Sequence, residues 1–175
     1  MKRWLAFLLA VVIFIAVHEG AHALTATIYD EYEAFHVRPI GLEVTFRTPV
    51  DQRQGVRWAL ISGTSNLLTL WMGYLLLFFG RRFARSRSMF LKASIYYLAL
   101  ISLLLDTFNL SIGLFIYGGD ANGIAVGLRI SRYLVQAIFF FVLLRNRELV
   151  AQRLLPAYHM RTEHPLLRPW LRFTR

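Results

Sequence analysis

Residues 4–28 read WLAFLLAVVIFIAVHEGAHALTATI, from Trp4 to Ile28, and this stretch decides the fold class. About 20 consecutive apolar residues are enough for a helix to cross the hydrocarbon core of a bilayer. The run exceeds that length, with His18, Glu19 and His22 as its only strongly polar members. It therefore reads as a transmembrane helix carrying three ionisable side chains on its second half.

Moving outward along the chain, the same signature recurs. Trp58 to Phe79 is a second apolar span. Met89 to Tyr117 is a third, too long for one comfortable crossing and interrupted by Asp106, Asn109 and Gly113, which predicts a helix that breaks before leaving the membrane. Ile124 to Leu144 is a fourth, with Arg129 and Arg132 near its start. The composition agrees: 57% of the 175 residues are apolar and only 17% charged, against about 45–50% and about 25% in soluble domains. The expected fold is an all-α polytopic membrane protein with about four transmembrane helices and a short β-hairpin or loop between the first two. There is no cysteine, so disulfides and thiolate metal sites are excluded, and any transition metal must be held by His, Asp or Glu.

The net charge of +10 does not point to nucleic acid, because the positive residues flank the apolar spans. Arg81, Arg82, Arg85, Arg87 and Lys92 form one cluster. Arg145, Arg147, Arg153, Arg161, Arg168, Arg172 and Arg175 form another. Basic residues in that position set topology and sit beside anionic headgroups. Lys2, Arg3 and both clusters fall on one side of a four-span arrangement, which the positive-inside rule makes cytoplasmic. His18 then lies towards the outer end of the first helix, at the same depth as Asp120. Residues 1–147 read as a membrane-embedded domain and 148–175 as a basic cytoplasmic tail, with Tyr158 and Trp170 as surface anchors. His36, His159 and His164 read as ordinary interfacial or tail residues. The setting implied is a multi-pass integral membrane protein, with the lipid bilayer as one partner and its oligomeric state open.

Between the first two spans, residues 30–57 hold five acids and four arginines in near balance. Within them Leu42, Val44 and Phe46 alternate with Glu43, Thr45 and Arg47, a period of two that reads as a strand. Pro39-Ile40-Gly41 and Thr48-Pro49 supply turn chemistry on either side. A hairpin at the membrane surface and a plain connecting loop are both compatible with this pattern.

His18-Glu19-Gly20-Ala21-His22 matches H-E-x-x-H. Residues four apart share a helical face, so both imidazoles can reach one ion, while Glu19 projects beside them to hold and deprotonate a zinc-bound water. Zinc lowers the pKa of such a water from 15.7 to about 7. Small Gly20 and Ala21 leave room for a neighbour. An ionisable residue at mid-bilayer costs about 2.5–3.5 kcal/mol on insertion scales, so three in one span call for a function. A competing reading takes Lys2-Arg3, the run to Val17 and Ala21-His22-Ala23 as a secretory signal with an A-x-A cleavage site. The apolar character continuing past Ala23 argues against it.

Catalytic zinc takes three protein ligands and a water. Asp120, after Gly118-Gly119, is the candidate third ligand; its bland alternative is a turn or cap aspartate opening the next helix. Asp106 is the second candidate, and Glu148 a poor one because it falls on the far face. Asn66 in Ser62-Gly63-Thr64-Ser65-Asn66, and similarly Asn109, could bind substrate backbone or support a ligand. Such residues also simply join helices. Arg129 and Arg132 read as side chains snorkelling to the interface.

With these residues in view, the chain resembles the site-2 protease family of intramembrane zinc metalloproteases, in a small bacterial-type form. The likeness rests on His18-Glu19-Gly20-Ala21-His22 in a membrane helix and on Gly63-Thr64-Ser65-Asn66, which looks like the family's G-P-x-x-N. Asn109 followed by Gly119-Asp120 looks like its asparagine and aspartate-glycine element. Thr64 stands where the family has proline, and Ala121 where it has glycine. The resemblance implies that His18, His22 and Asp120 bind one zinc ion and that Glu19 is the general base. It also implies that a membrane β-element, here Leu42 to Phe46, offers its edge to an unwound substrate strand. The function expected is hydrolysis of peptide bonds in or beside transmembrane segments of a membrane protein or peptide. The competing expectation is a catalytically inactive scaffold or metal-binding accessory protein of the same fold; a transporter is a weaker third, since no internal repeat shows.

Overall fold

The computed structural model describes residues 2–38, 41–115 and 119–171. The expected turn residues Pro39 and Ile40, the end of the third apolar stretch at Tyr117 with Gly118, and tail residues Arg172 and Arg175 lie outside the described residues. The chain is mostly helical, with a single two-stranded sheet among the described residues.

Helix α1 spans Lys2–Ile28, α2 Val56–Phe78 and α4 Met89–Ser111, with the short α3, Gly80–Ala84, between the last two. These three long helices are long and apolar enough to cross a membrane. Their outward faces agree, since Trp4, Leu8, Val12, Leu67, Trp71 and Leu105 are all exposed. A water-soluble molecule does not carry that much exposed apolar surface. Inward, the contacts are made by small residues. Ala6 and Ala10 of α1 are fully buried, one turn apart, which lets the neighbouring backbones approach closely. Helix α4 lies centrally, packed against α1, α2 and the later helix α6, Arg132–Leu149.

Residues 30–57 do form a hairpin. Strand β1, Tyr32–Arg38, pairs antiparallel with β2, Gly41–Phe46, in the register Phe35 to Val44 and His36 to Glu43. The alternation read from the sequence sits on β2, whose Val44 is buried while Glu43 reaches Arg38 at 2.7 Å. The hairpin is tied to the helices by a buried carboxylate. Glu31 accepts from the Thr48 amide at 3.2 Å and pairs with Arg57 at 3.2 Å. Arg53 lies over the rings of Phe46 and Trp58, at 5.0 and 4.6 Å, closing the junction.

The expected fourth span, 124–144, is not one helix. Helix α5, Asp120–Leu128, ends where Arg129 adopts a left-handed backbone (φ 56°), and α6, Arg132–Leu149, starts afresh behind the Ser131 cap. Arg129-Ile130-Ser131-Arg132 is the polar interruption that makes the break, and both arginines point to the exposed surface. Four spans are therefore not seen as four long apolar helices. Instead α6 passes the expected 147/148 boundary without a break. It runs through a π-helical turn, Val150–Leu154, into the short α7, Leu155–Ala157. Val150, Leu154 and Leu155 are core residues, packed with Leu70, Tyr96, Ala99 and Leu103.

Beyond α7 the chain folds back onto α6. The Arg147 side chain donates to the carbonyls of Pro165, Leu166 and Arg168 and lies 3.8 Å from the Trp170 ring. Glu148 pairs with Arg147 and accepts from Gln152 and from the Trp170 amide at 3.0 Å. Buried backbone polar groups need partners, and this buried pair supplies them to the returning chain. Glu148 is thereby committed to the tail and is not a metal ligand.

Candidate metal centre

The H-E-x-x-H turn lies in the middle of uninterrupted α helix, and its two rings do share a face: their centroids are 5.0 Å apart. Each ring is oriented by what its Nδ1 meets. His22 Nδ1 lies 2.7 Å from the carbonyl oxygen of Ile61 on α2. A carbonyl can only accept, so this nitrogen carries the proton and Nε2 presents its lone pair. His18 is stacked on Phe14, with ring centroids 5.7 Å apart, and its Nδ1 faces Asp106 Oδ1 at 3.3 Å.

Both Nε2 atoms converge on one oxygen. Asp120 Oδ2 lies 3.3 Å from His22 Nε2 and 3.6 Å from His18 Nε2. Ligand atoms of these three residues all fall within 4.8 Å of one another, a set that could hold a metal ion. Two neutral imidazole nitrogens and a carboxylate oxygen suit zinc, which in catalytic sites takes three protein ligands and a water. Ser65 Oγ, 2.9 Å from His22 Nε2, occupies hydrogen-bond space there.

Asp120 opens α5 directly after Gly119 and is not a cap: no side-chain capping bond forms at this terminus. Its position comes from helix packing. A Cβ placed on Gly123 would stand 2.7 Å from Ser62 Cβ, and one on Gly127 2.6 Å from Ala59 Cβ, so only glycine lets α5 lie this close to α2. Small residues four apart are the usual device for such an approach. That contact brings Asp120 to Asn66, whose Nδ2 donates to Asp120 Oδ2 at 2.8 Å and to the Ser62 carbonyl at 2.9 Å. Asn66 is thus beside the expected ligand, holding it, and its own Oδ1 is buried without a partner.

Glu19 is half-buried beside the pair, and the backbone amide of Val44 on β2 hydrogen-bonds its carboxylate. Phe46 of the same strand packs 6.4 Å from the His22 ring. The hairpin therefore borders the centre. Asn109 is half-buried on α4, one turn beyond Asp106.

No protein-family model, curated protein or solved structure matches the chain.

Three contributors escaped the sequence reading: Ser65, Thr69 and the glycine pair of α5. Ser62, Ser65, Thr69 and Gly73 follow one another at steps of three or four along α2, with Asn66 next to Ser65, and all five are buried. A polar stripe at helical spacing in an apolar span was the available signal, as was the small-x-x-x-small spacing of Gly123 and Gly127.

Proposed function

We propose that this protein is an intramembrane zinc endopeptidase related to the site-2 proteases, with His18, His22 and Asp120 as metal ligands and Glu19 as general base. One observation carries the reading: two Nε2 atoms one helical turn apart aim at a single aspartate oxygen, with the half-buried Glu19 carboxylate beside them. Zinc held there would polarise a peptide carbonyl and lower the pKa of water to about 7. Glu19 takes the proton from the attacking water and hands it to the leaving amine. Asn66 keeps Asp120 in place, and β2, whose Val44 amide bonds Glu19, is the strand that would pair with an extended peptide.

Access comes from the side. An apolar cavity of about 950 Å³ runs between α1, α4, α6 and the returning tail. Phe14, which lines it, stacks directly on His18. A membrane-embedded segment in that groove would reach the centre without passing through water. The protein crosses the membrane several times, α6 with α7 completing a fourth passage, and Lys2, Arg3, the Arg81 to Lys92 cluster and the tail lie on the cytoplasmic side of a bacterial membrane.

Purified protein in detergent should carry close to one zinc per chain and cleave a peptide whose apolar helix it can admit. His22→Ala and Asp120→Ala should lose the metal. Zinc bound tightly but no cleavage of any helical substrate would favour the alternative, an inactive metal-binding scaffold.

A further inference from the structure

Asp106 is the second aspartate of the centre, and its surroundings differ from those of Asp120 at every atom. It is 1% exposed, in the C-terminal part of α4. Its Oδ2 accepts from Thr69 Oγ1 on α2. Its Oδ1 faces His18 Nδ1 at 3.3 Å, and neither of those two atoms has a hydrogen bond elsewhere. Asp106 therefore meets the ring nitrogen that points away from the ligand set, while Asp120 meets the one that points into it.

From this juxtaposition we infer that Asp106 is a positioning residue, fixing His18 through its Nδ1 and leaving Nε2 free to bind the metal, with Thr69 aiming the carboxylate. The inference rests on the metal reading above and extends it to a residue that touches neither metal nor substrate. The physical reasons are two. An imidazole binds a cation through one nitrogen only when the other holds the proton, and an acceptor at Nδ1 selects that tautomer and fixes the ring. His22 has the same arrangement, with the Ile61 carbonyl as acceptor. Each histidine thus carries its own acceptor from a different helix, α2 for His22 and α4 for His18. A carboxylate this deep in a bilayer needs a purpose. Thr69 also donates to backbone within its own helix, at 2.9 Å to the Ser65 carbonyl, so its position is fixed independently of Asp106.

The test measures zinc affinity by chelator competition, with the fold of each apo protein followed by thermal unfolding. Substituting Asp106→Asn keeps an acceptor oxygen of the same shape; Asp106→Leu removes it. Orienting partners of this kind are worth about 10–100-fold in metal affinity. Asp106→Leu is expected to weaken zinc binding by that factor, and Asp106→Asn to restore it to within a few-fold of the wild type. Cobalt in place of zinc should show a shifted ligand-field spectrum in the leucine variant alone. If Asp106→Leu does not fold, Thr69→Val serves instead: it leaves the carboxylate but unseats it, and a several-fold weakening is expected. Equal affinity in all folded variants overturns the inference, as does complete loss of zinc in Asp106→Asn, which would make Asp106 a ligand. A wild type that binds no zinc fails the proposed function itself, a different result from either.

Discussion

Two of the buried polar networks among the described residues are finished to different degrees. At one end, Asn146 is completely buried. Its Oδ1 accepts from Tyr74 at 2.7 Å and its Nδ2 donates to the Leu103 carbonyl at 2.8 Å. Beside it Arg147 and Glu148 spend their hydrogen-bonding capacity on the backbone of the returning tail. At the other end, around the H-E-x-x-H turn, Asn66 Oδ1 is buried without a hydrogen bond, and His18 Nδ1 and Asp106 Oδ1 face only each other, at 3.3 Å. Buried polar groups in native proteins are otherwise nearly all paired. A saturated network specifies the fold; an incomplete one is held ready for something else.

That contrast can be broken by measurement. The largest effect is expected at Glu19. Glu19→Gln should keep zinc and lower cleavage of a helical substrate by about 10²–10⁴-fold, with thermal stability unchanged; full activity in this variant would remove the proposed mechanism. Glu148→Ala should do the reverse. It leaves Arg147 buried without its counter-charge, a loss of about 3–5 kcal/mol for breaking a buried pair, visible in unfolding by denaturing detergent, and zinc content should stay at the wild-type level. If Glu148→Ala lost metal instead of stability, the division between the two ends would be wrong. Gly127→Ala addresses how the ends are joined: overpacking against Ala59 should cost about 1–3 kcal/mol and weaken zinc binding as well, because α5 carries Asp120. The smallest effect belongs to the hairpin surface. Arg38→Ala removes an exposed pair with Glu43, worth about 0–1 kcal/mol, and should leave melting temperature and metal content where they were.

Local patterns in the sequence carried the most information. The three long helices followed from apolar length, the strand Gly41–Phe46 from its period of two, and the shared face of His18 and His22 from their spacing. Asp120 was reached by resemblance and by matching depths across the spans. What stayed hidden depends on pairings distant along the chain. Strand β1 alternates weakly and is defined by its partner. Arg147 and Glu148 read as the start of a basic tail because nothing local says that carbonyls twenty residues onward will return to them. The fourth span misled because apolar residues continue on both sides of Arg129, whereas the turn there is set by backbone conformation. Asp106 was recognised as out of place, but which nitrogen of His18 it meets is a matter of three-dimensional packing.

Helix α5 is nine residues long, about 13 Å at 1.5 Å per residue, and too short to enter a bilayer by itself. Its place against α2 is set by its two glycines. Synthesis runs from the N-terminus, so His18 and His22 are made before Asp120. A nascent chain therefore holds an unfinished blade, and the centre is assembled only once the scaffold around it has closed.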